Sequence, residues 1–319
     1  MNRICLVGCG DIARTHARNL AGKAELCFHS RSQESAERFA GEFGGGRVFA
    51  RFEDLLEAEE VDGLVICSPP EFHCEQVVGA LEAGKSVLVE KPMCGTAAEV
   101  ERIGAAVEAH PKRFVMVAEN YYYKPSVKLL QWAIEQGFIG EIQQVEVQKL
   151  FGQEADGWKS GYGSLLEGGI HFVALISALF ERVGKEVPER VQAEFPGWRL
   201  GEPERHSVTR LEYAGGATAE LRYAWNARSL LKGLFQHSRI FGTEGRIVFE
   251  SNGLYVRLRG DRRKRLYFPG FGDLMGYGGM TRDLLDCLRE EGRQPLSDFN
   301  RAKRDLGIVF EAYRGLTGG

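Results

Sequence analysis

The sequence contains no Cys-x-x-Cys pair. Its seven cysteines stand singly, an odd number that suits neither a disulfide framework nor a structural zinc site, so no metal is expected. Reduced, mostly buried thiols in the cytoplasm are the expectation. Charge of neither sign dominates: 41 Lys and Arg against 44 Asp and Glu leave a net charge of −3, which argues against nucleic acid or an anionic membrane as partner. Long apolar runs are missing too. The longest covers residues 172–180 and is broken by Ser177, far short of the ~20 residues a membrane-spanning helix needs. No signal peptide is expected ahead of a strand that starts at residue 3. Repeats, low-complexity tracts and an obvious linker are also lacking.

What is there is an ordinary globular composition, 44% apolar and 27% charged, over 319 residues. That length suits about two domains at the usual ~150 residues each. In the first third, short apolar runs at 3–7, 24–28, 47–50, 61–67, 86–90 and 114–118 alternate with amphipathic helical patterns at 11–21, 33–43, 72–83 and 96–109. The runs lack strict polar alternation, as strands of a parallel sheet covered on both faces do. The spacing predicts an α/β Rossmann-type doubly wound parallel sheet over residues 1–122. After about Asn120 a helix at 125–136 leads into longer, alternating strands punctuated by turns such as Ala214-Gly215-Gly216 and Ser251-Asn252-Gly253. Helices are expected at 165–182, 280–291 and 301–313. Residues 123–319 read as an α+β domain with an open, mostly antiparallel sheet.

Gly8-Cys9-Gly10-Asp11-Ile12-Ala13 follows the first strand and opens the first helix. In this G-x-G-x-x-A spacing Gly8 makes the tight turn, Gly10 lets backbone approach a pyrophosphate, and Ala13 allows close helix–strand packing. The free N–H groups at the helix start would hold the phosphates. The end of the second strand selects the cofactor. An Asp or Glu there would bind ribose hydroxyls, but the sequence has His29-Ser30-Arg31-Ser32. A hydroxyl and a guanidinium suit a 2′-phosphate, so NADP(H) is expected over NAD(H). The alternative is that Arg31 is a solvated loop charge and Ser30 only starts the next helix.

Residues 86–92, Ser-Val-Leu-Val-Glu-Lys-Pro, end a buried strand at the carboxyl edge where doubly wound sheets bind ligands. An ammonium at Lys91 could stabilise an alkoxide or lower the pKa of a substrate hydroxyl. Taken alone, a strand-end lysine reads as a solvated charge.

With these blocks in view, the chain resembles the Gfo/Idh/MocA oxidoreductases. The resemblance runs nearly end to end. It rests on the glycine motif with His16, on Ser68-Pro69-Pro70-Glu71-Phe72-His73, on Gly84-Lys85 leading to Glu90-Lys91-Pro92, on Glu119-Asn120-Tyr121, on Gly140-Glu141-Ile142 and on Phe241-Gly242-Thr243-Glu244-Gly245. It implies a Rossmann domain followed by an open-sheet domain, and hydride exchange between a nicotinamide and a sugar or related alcohol or ketone. It further implies that Ser68, Pro69, His73, Glu90, Lys91 and Asn120 join Gly8, Gly10, Asp11, Ile12, Ala13, Ser30 and Arg31 in holding the cofactor. A second catalytic motif of the family, an acid four residues before a histidine, matches Glu167-Gly168-Gly169-Ile170-His171. Residues four apart share a helix face, and an imidazole moves a proton near neutral pH. Without the resemblance His171 would read as a hydrogen-bonded core residue. Two departures stand out: Glu167 replaces the usual Asp, and Ala174 stands where a further acid is common.

Other residues admit two roles. Tyr121 and Tyr122 would border the substrate or pack where the chain enters its second half. Trp158, Lys159 and Tyr162 precede the Glu167–His171 motif and could touch substrate. Tyr277 sits among five glycines in 270–279, either capping a pocket or in a plain turn. Five Arg or Lys within 259–265 read as a solvated turn. The expected activity is an oxidoreductase in which Lys91, His171 and Glu167 handle the substrate oxygen and proton. A redox-neutral sugar-modifying enzyme with retained cofactor, or a non-catalytic nucleotide-sensing regulator, are the alternatives. The substrate is expected to be a small, polyhydroxylated molecule, and a homodimer or homotetramer is expected because the open sheet needs cover.

Overall fold

The computed structural model describes residues 1–229, 233–260 and 264–317. In chain order the elements are β1 (Arg3–Val7), α1 (Asp11–Leu20), β2 (Glu25–His29), α2 (Gln33–Glu42), β3 (Val48–Phe49), α3 (Phe52–Glu57), β4 (Gly63–Ile66), α4 (His73–Glu82), β5 (Ser86–Val89), α5 (Ala97–Ala109), β6 (Val115–Val117), α6 (Pro125–Glu135), β7 (Ile142–Leu150), α7 (Ile170–Glu181), β8 (Arg190–Glu194), β9 (His206–Glu212), β10 (Thr218–Ala224), β11 (His237–Gly242), β12 (Gly245–Glu250), β13 (Val256–Gly260), β14 (Lys264–Tyr267), α8 (Tyr277–Arg289) and α9 (Phe299–Thr317). The chain divides into two compact units. One is Met1–Glu119 with Tyr277–Lys303, the other Asn120–Gly276 with the chain from Arg304 on.

The first unit holds a six-stranded parallel sheet in the order β3-β2-β1-β4-β5-β6. Every residue of β4 and β5 is buried, as a sheet covered on both faces requires. Strand order reverses where β1 pairs with both β2 and β4, and the carboxyl ends of these strands make the crevice that binds ligands in doubly wound folds. Local chemistry fixes the helix starts. Ser32 accepts from Ser35 N at 3.2 Å to cap α2, and Thr96 with Glu99 forms a reciprocal capping box on α5. Helix α3 has six residues, too few to show a period in the sequence.

The second unit holds an eight-stranded sheet ordered β14-β13-β12-β11-β7-β10-β9-β8, antiparallel except for the β7–β10 pair. Val145, Val147, Ala219, Leu221, Ile240, Ile247 and Phe249 alternate along the strands and are buried. Of the twelve residues of α7, ten are buried, so this helix is apolar all round and forms the centre of the unit's core. Phe180 at its end stacks on Tyr213 with centroids 3.8 Å apart. Leu266 on β14 stays exposed, as do Phe235 just before β11 and Phe268 just after β14.

The helix expected at 165–182 is two elements. A π-helical turn, Leu165–Gly169, precedes α7. The helix expected from residue 280 begins at Tyr277, so Tyr277 belongs to α8 and not to a loop tip. Of the basic run at 259–265, Arg259 pairs in register with Lys264 across β13 and β14, while Asp261, Arg262 and Arg263 lie outside the described residues. Among the described residues no helix is long and apolar enough to cross a membrane.

Candidate active site

Gly8 leaves β1 with φ +95, and its N–H donates to the His29 carbonyl at 2.8 Å. A Cβ there would lie 2.9 Å from the Cys67 carbonyl carbon and the Ser68 nitrogen, so only glycine fits between β1 and the end of β4. Gly10 differs. Its backbone is extended, and a Cβ would meet nothing within 4 Å. Gly10 is also the N-cap of α1 and supplies no side-chain acceptor. The first N–H groups of that helix therefore receive no capping side chain, and the positive end of its dipole lies beside the open space at Gly10. A pyrophosphate fits this arrangement, with Gly8, Gly10, Asp11, Ile12 and Ala13 around it; Ala13 is fully buried against the sheet. At the end of β2, Ser30 is half-buried, and the Arg31 guanidinium lies over the Phe72 ring at 4.9 Å. No carboxylate occupies residues 29–32.

At the carboxyl end of β4 and β5, side chains knit the loops together. Ser68 Oγ donates to Gln76 Oε1 at 2.6 Å, and His73, fully buried, sits with its ring nitrogens 2.7 Å from the Ser68 carbonyl and 3.0 Å from the Pro92 carbonyl. Burial pushes His73 below the usual imidazole range, against the opposite pull of those carbonyls and of Glu90. His16, on α1, donates from Nε2 to Glu90 Oε1 at 2.7 Å, while Glu90 Oε2 accepts from Lys91 N at 3.1 Å. Burial pushes the Glu90 carboxyl up, but His16 and Lys91 outweigh it and hold the group below the ordinary carboxylate range. Lys91 is half-buried at the start of a cis Lys91–Pro92 peptide. Tyr277 meets the His16 ring edge-on at 6.0 Å. Burial first, then the charges of Glu90 and Glu119, raise its hydroxyl's pKa.

In the second unit, Glu167 is buried inside the π turn, and Lys159 Nζ reaches its Oε1 at 3.1 Å. Lys159 belongs to a short 3₁₀ turn, Gly157–Gly161, with Trp158, which is 37% exposed and meets Tyr162 edge-on at 5.8 Å. His171 opens the second position of α7 and stacks on Tyr121, with centroids 5.1 Å apart and planes 16° from parallel. Lys124 Nζ lies 4.1 Å from the centre of the same Tyr121 ring. The structure thus brings Glu167, His171, Tyr121, Trp158, Lys159 and Tyr162 into one neighbourhood of this unit through two chains of contact, Lys159–Glu167 and Tyr121–His171. Tyr122 is buried with its hydroxyl on Asp305 (2.5 Å) and Arg304 (2.6 Å). Asn120 is buried and donates to the Met275 carbonyl at 2.6 Å. Among the described residues, no group of three or more His, Cys, Asp or Glu could hold a metal ion.

Two family models cover most of the chain. The one described as an oxidoreductase family with an NAD-binding Rossmann fold matches residues 2–119, and the Gfo/Idh/MocA C-terminal domain matches residues 127–248. The chain belongs to the Gfo/Idh/MocA oxidoreductase family. It is 32% identical to a glucose-6-phosphate 3-dehydrogenase of Bacillus subtilis over 57% of this chain and 54% of the relative. The chain spans about half the length of the curated relatives it matches. Two solved structures share the fold over nearly the whole chain. One is a dehydrogenase from Bordetella pertussis with NADH and UDP-GlcNAcA (TM-score 0.82, 23% identity, 100% of this chain and 96% of that one). The other is a 3-ketoreductase from Actinomadura kijaniata with NADP and TDP-benzene (TM-score 0.83, 21% identity, 98% and 97%).

Several residues of this Gfo/Idh/MocA protein that shape the Glu167–His171 turn carry no signal in the sequence. Tyr223 packs its hydroxyl against Gly168, where a Cβ would lie 2.0 Å from it, and accepts from Trp225 Nε1 at 3.1 Å. Gly168 is therefore a packing requirement of β10, whereas a Cβ at Gly169 would first meet Leu165 Cδ1 of the same turn, at 2.9 Å. Glu204 and Arg205, in a polar loop before β9, and Tyr313, on α9, bond to residues 160–166. Two loop carboxylates in Gly201-Glu202-Pro203-Glu204-Arg205 do not announce which of them has such a partner.

Proposed function

We propose that the chain is an NADP(H)-dependent oxidoreductase that exchanges hydride with a sugar-like alcohol or ketone. The observation that carries the reading is the α1 N-terminus behind Gly10, open and without a side-chain cap, beside a β2 end that offers Ser30 and Arg31 instead of a carboxylate. Relatives named for glucose 6-phosphate and inositol support a polyhydroxylated substrate.

When bound, the nicotinamide supplies or accepts the hydride. Gly8, Gly10, Asp11, Ile12 and Ala13 hold the pyrophosphate, and Ser30 and Arg31 the 2′-phosphate. Ser68, Pro69, His73, Glu90, Lys91 and Asn120 form the remaining wall. In the reducing direction Lys91 and protonated His171 hold the carbonyl oxygen, and one of them gives it a proton. In the oxidising direction His171 takes the hydroxyl proton while Lys91 stabilises the alkoxide. Glu167 orients His171 or a substrate hydroxyl, and Tyr121, Tyr122, Trp158, Lys159 and Tyr162 border the substrate. Proton transfer by a placed group contributes typically ~10²–10⁴-fold. Cytoplasmic residence and a homodimer or homotetramer formed through the open sheet belong to the same proposal. The exposed Phe235, Leu266 and Phe268 support self-association, and a monomeric mass by light scattering would count against it.

Turnover of a panel of polyols, hexose phosphates and nucleotide sugars with NADP⁺ tests the reading. Lys91→Ala and His171→Ala are each expected to lower kcat by at least about 100-fold, with nucleotide affinity kept in His171→Ala. Near-wild-type turnover in either variant rejects the catalytic role of that residue. Substrate consumed with no net change in NADPH would point to redox-neutral chemistry instead.

A further inference from the structure

The N–H groups that open a helix have no partner within it. In the π turn that carries Glu167 they are met from outside. Glu204 is only 2% exposed. Its carboxylate accepts from Ser164 Oγ, from Leu165 N and from the Tyr313 hydroxyl, each at 2.7 Å. The Tyr313 oxygen in turn accepts from Leu166 N at 3.1 Å, and the Glu204 carbonyl accepts from Ser164 N at 2.9 Å. The next residue, Arg205, donates to the carbonyls of Tyr162 (2.9 Å) and Ser160 (3.0 Å). Three consecutive N–H groups just before Glu167 are thus held by one loop residue and one residue of α9. Gly163 makes the approach possible: a Cβ there would stand 2.4 Å from the Tyr313 hydroxyl and 2.6 Å from Glu204 Oε1. The Tyr223 hydroxyl bears on Gly168, so contacts from α9 and from β10 together fix where the turn sits.

We propose that Glu204 and Tyr313 are positioning residues, a clamp that fixes the rotation and height of the Leu165–Gly169 turn and so sets the placement of Glu167 and His171. The inference rests on the reading of Glu167 and His171 as substrate groups. A carboxylate and a phenol suit the task because each gathers several short bonds, and buried hydrogen bonds to a charged group resist small displacements. Catalytic groups lose rate when moved by about an ångström.

Histidine-selective ¹⁵N NMR tests the inference, with the His171 signal identified by its loss in His171→Gln. Tyr313→Phe keeps the ring's stacking on Phe195 and removes only the hydroxyl. Tyr313→Phe and Glu204→Gln are each expected to move the His171 ring signals while those of His16, His29, His73 and His110 stay in place. Both are expected to lower kcat about 10- to 100-fold, read as NADP⁺ reduction by myo-inositol or glucose 6-phosphate, with KM for NADP⁺ unchanged. Unmoved His171 signals, or a kcat within twofold of wild type, would overturn the clamp. If Glu204→Gln fails to fold, Tyr313→Phe decides alone. Turnover retained by His171→Gln would instead remove the reading beneath the inference, a failure that this variant separates from failure of the clamp.

Discussion

His16 Nε2 stands 2.7 Å from Glu90 Oε1, and both side chains are buried. The bond ties α1 to the strand end that carries Lys91. Its energetics depend on the charge of Glu90. Burial opposes ionisation, but His16 and Lys91 more than offset it, so the folded carboxyl binds its proton less readily than the unfolded chain does. The contact therefore adds stability above the ordinary carboxylate value of 4.5 and loses it as the pH falls through the lower folded value. Glu90→Gln is expected to narrow the gap in urea midpoint between wild type and variant as pH drops from 7 towards 3. A gap constant across that range would remove Glu90 from the account.

Gly8 and Gly10 are separated by one residue and are expected to fail in opposite ways. Gly8→Ala places a Cβ against the backbone of Cys67 and Ser68 at a positive φ, and is expected to cost about 2 kcal/mol or more of stability. Gly10→Ala meets no protein atom, and the helix start tolerates it at less than about 1 kcal/mol. Its effect is expected on nucleotide affinity, lowered tenfold or more, since the methyl group would occupy the space proposed for the pyrophosphate. Thermal melts with and without NADP⁺ separate the two. A Gly10→Ala protein that binds nucleotide as well as wild type would show that the opening at α1 serves no phosphate.

Arg31 is held over Phe72, which limits the arc its guanidinium can sweep. If that guanidinium grips a 2′-phosphate, Arg31→Ala is expected to raise KM for NADPH roughly 10- to 100-fold and leave KM for NADH nearly unchanged. Phe72→Leu is expected to give a smaller shift in the same direction. Equal changes for both coenzymes, or a wild-type preference for NADH, would refute NADP(H) selectivity.

How much of the fold and the site is legible in the residues depends on the range of the contact involved. The first sheet is readable because each strand is a short apolar run followed by a helix with a local cap, as at Thr96 and Glu99. The sheet of the second unit is readable from two-residue alternation, though its one parallel pair, β7 with β10, is not, since nothing local distinguishes it. Helix α3 escapes detection because six residues without a side-chain cap leave no pattern. The Glu167–His171 spacing suggests a helix, but the π turn depends on Tyr223 pressing on Gly168 from 55 residues away in sequence, and the support from Glu204 and Tyr313 also comes from outside any local window.

The Tyr122 hydroxyl is engaged in a buried polar group. It donates to Asp305 Oδ2 and accepts from Arg304 Nη2, and Arg304 also reaches Glu181 at 3.3 Å. Asp305 and Arg304 are both nearly removed from solvent. Burial pushes the Asp305 carboxyl up and outweighs the opposite pull of Arg304 and Tyr122. Removing one member of such a group strands the other. Asp305→Ala leaves a buried guanidinium with less compensation and is expected to cost about 3–5 kcal/mol, whereas Tyr122→Phe deletes one neutral donor and is expected to cost about 1 kcal/mol. Urea unfolding of both variants measures the difference. If Tyr122→Phe leaves stability intact and raises KM for the substrate, the ring's place is in the substrate site and not in this network. Near-wild-type stability of Asp305→Ala would mean that Glu181 and the Tyr122 hydroxyl suffice to hold Arg304.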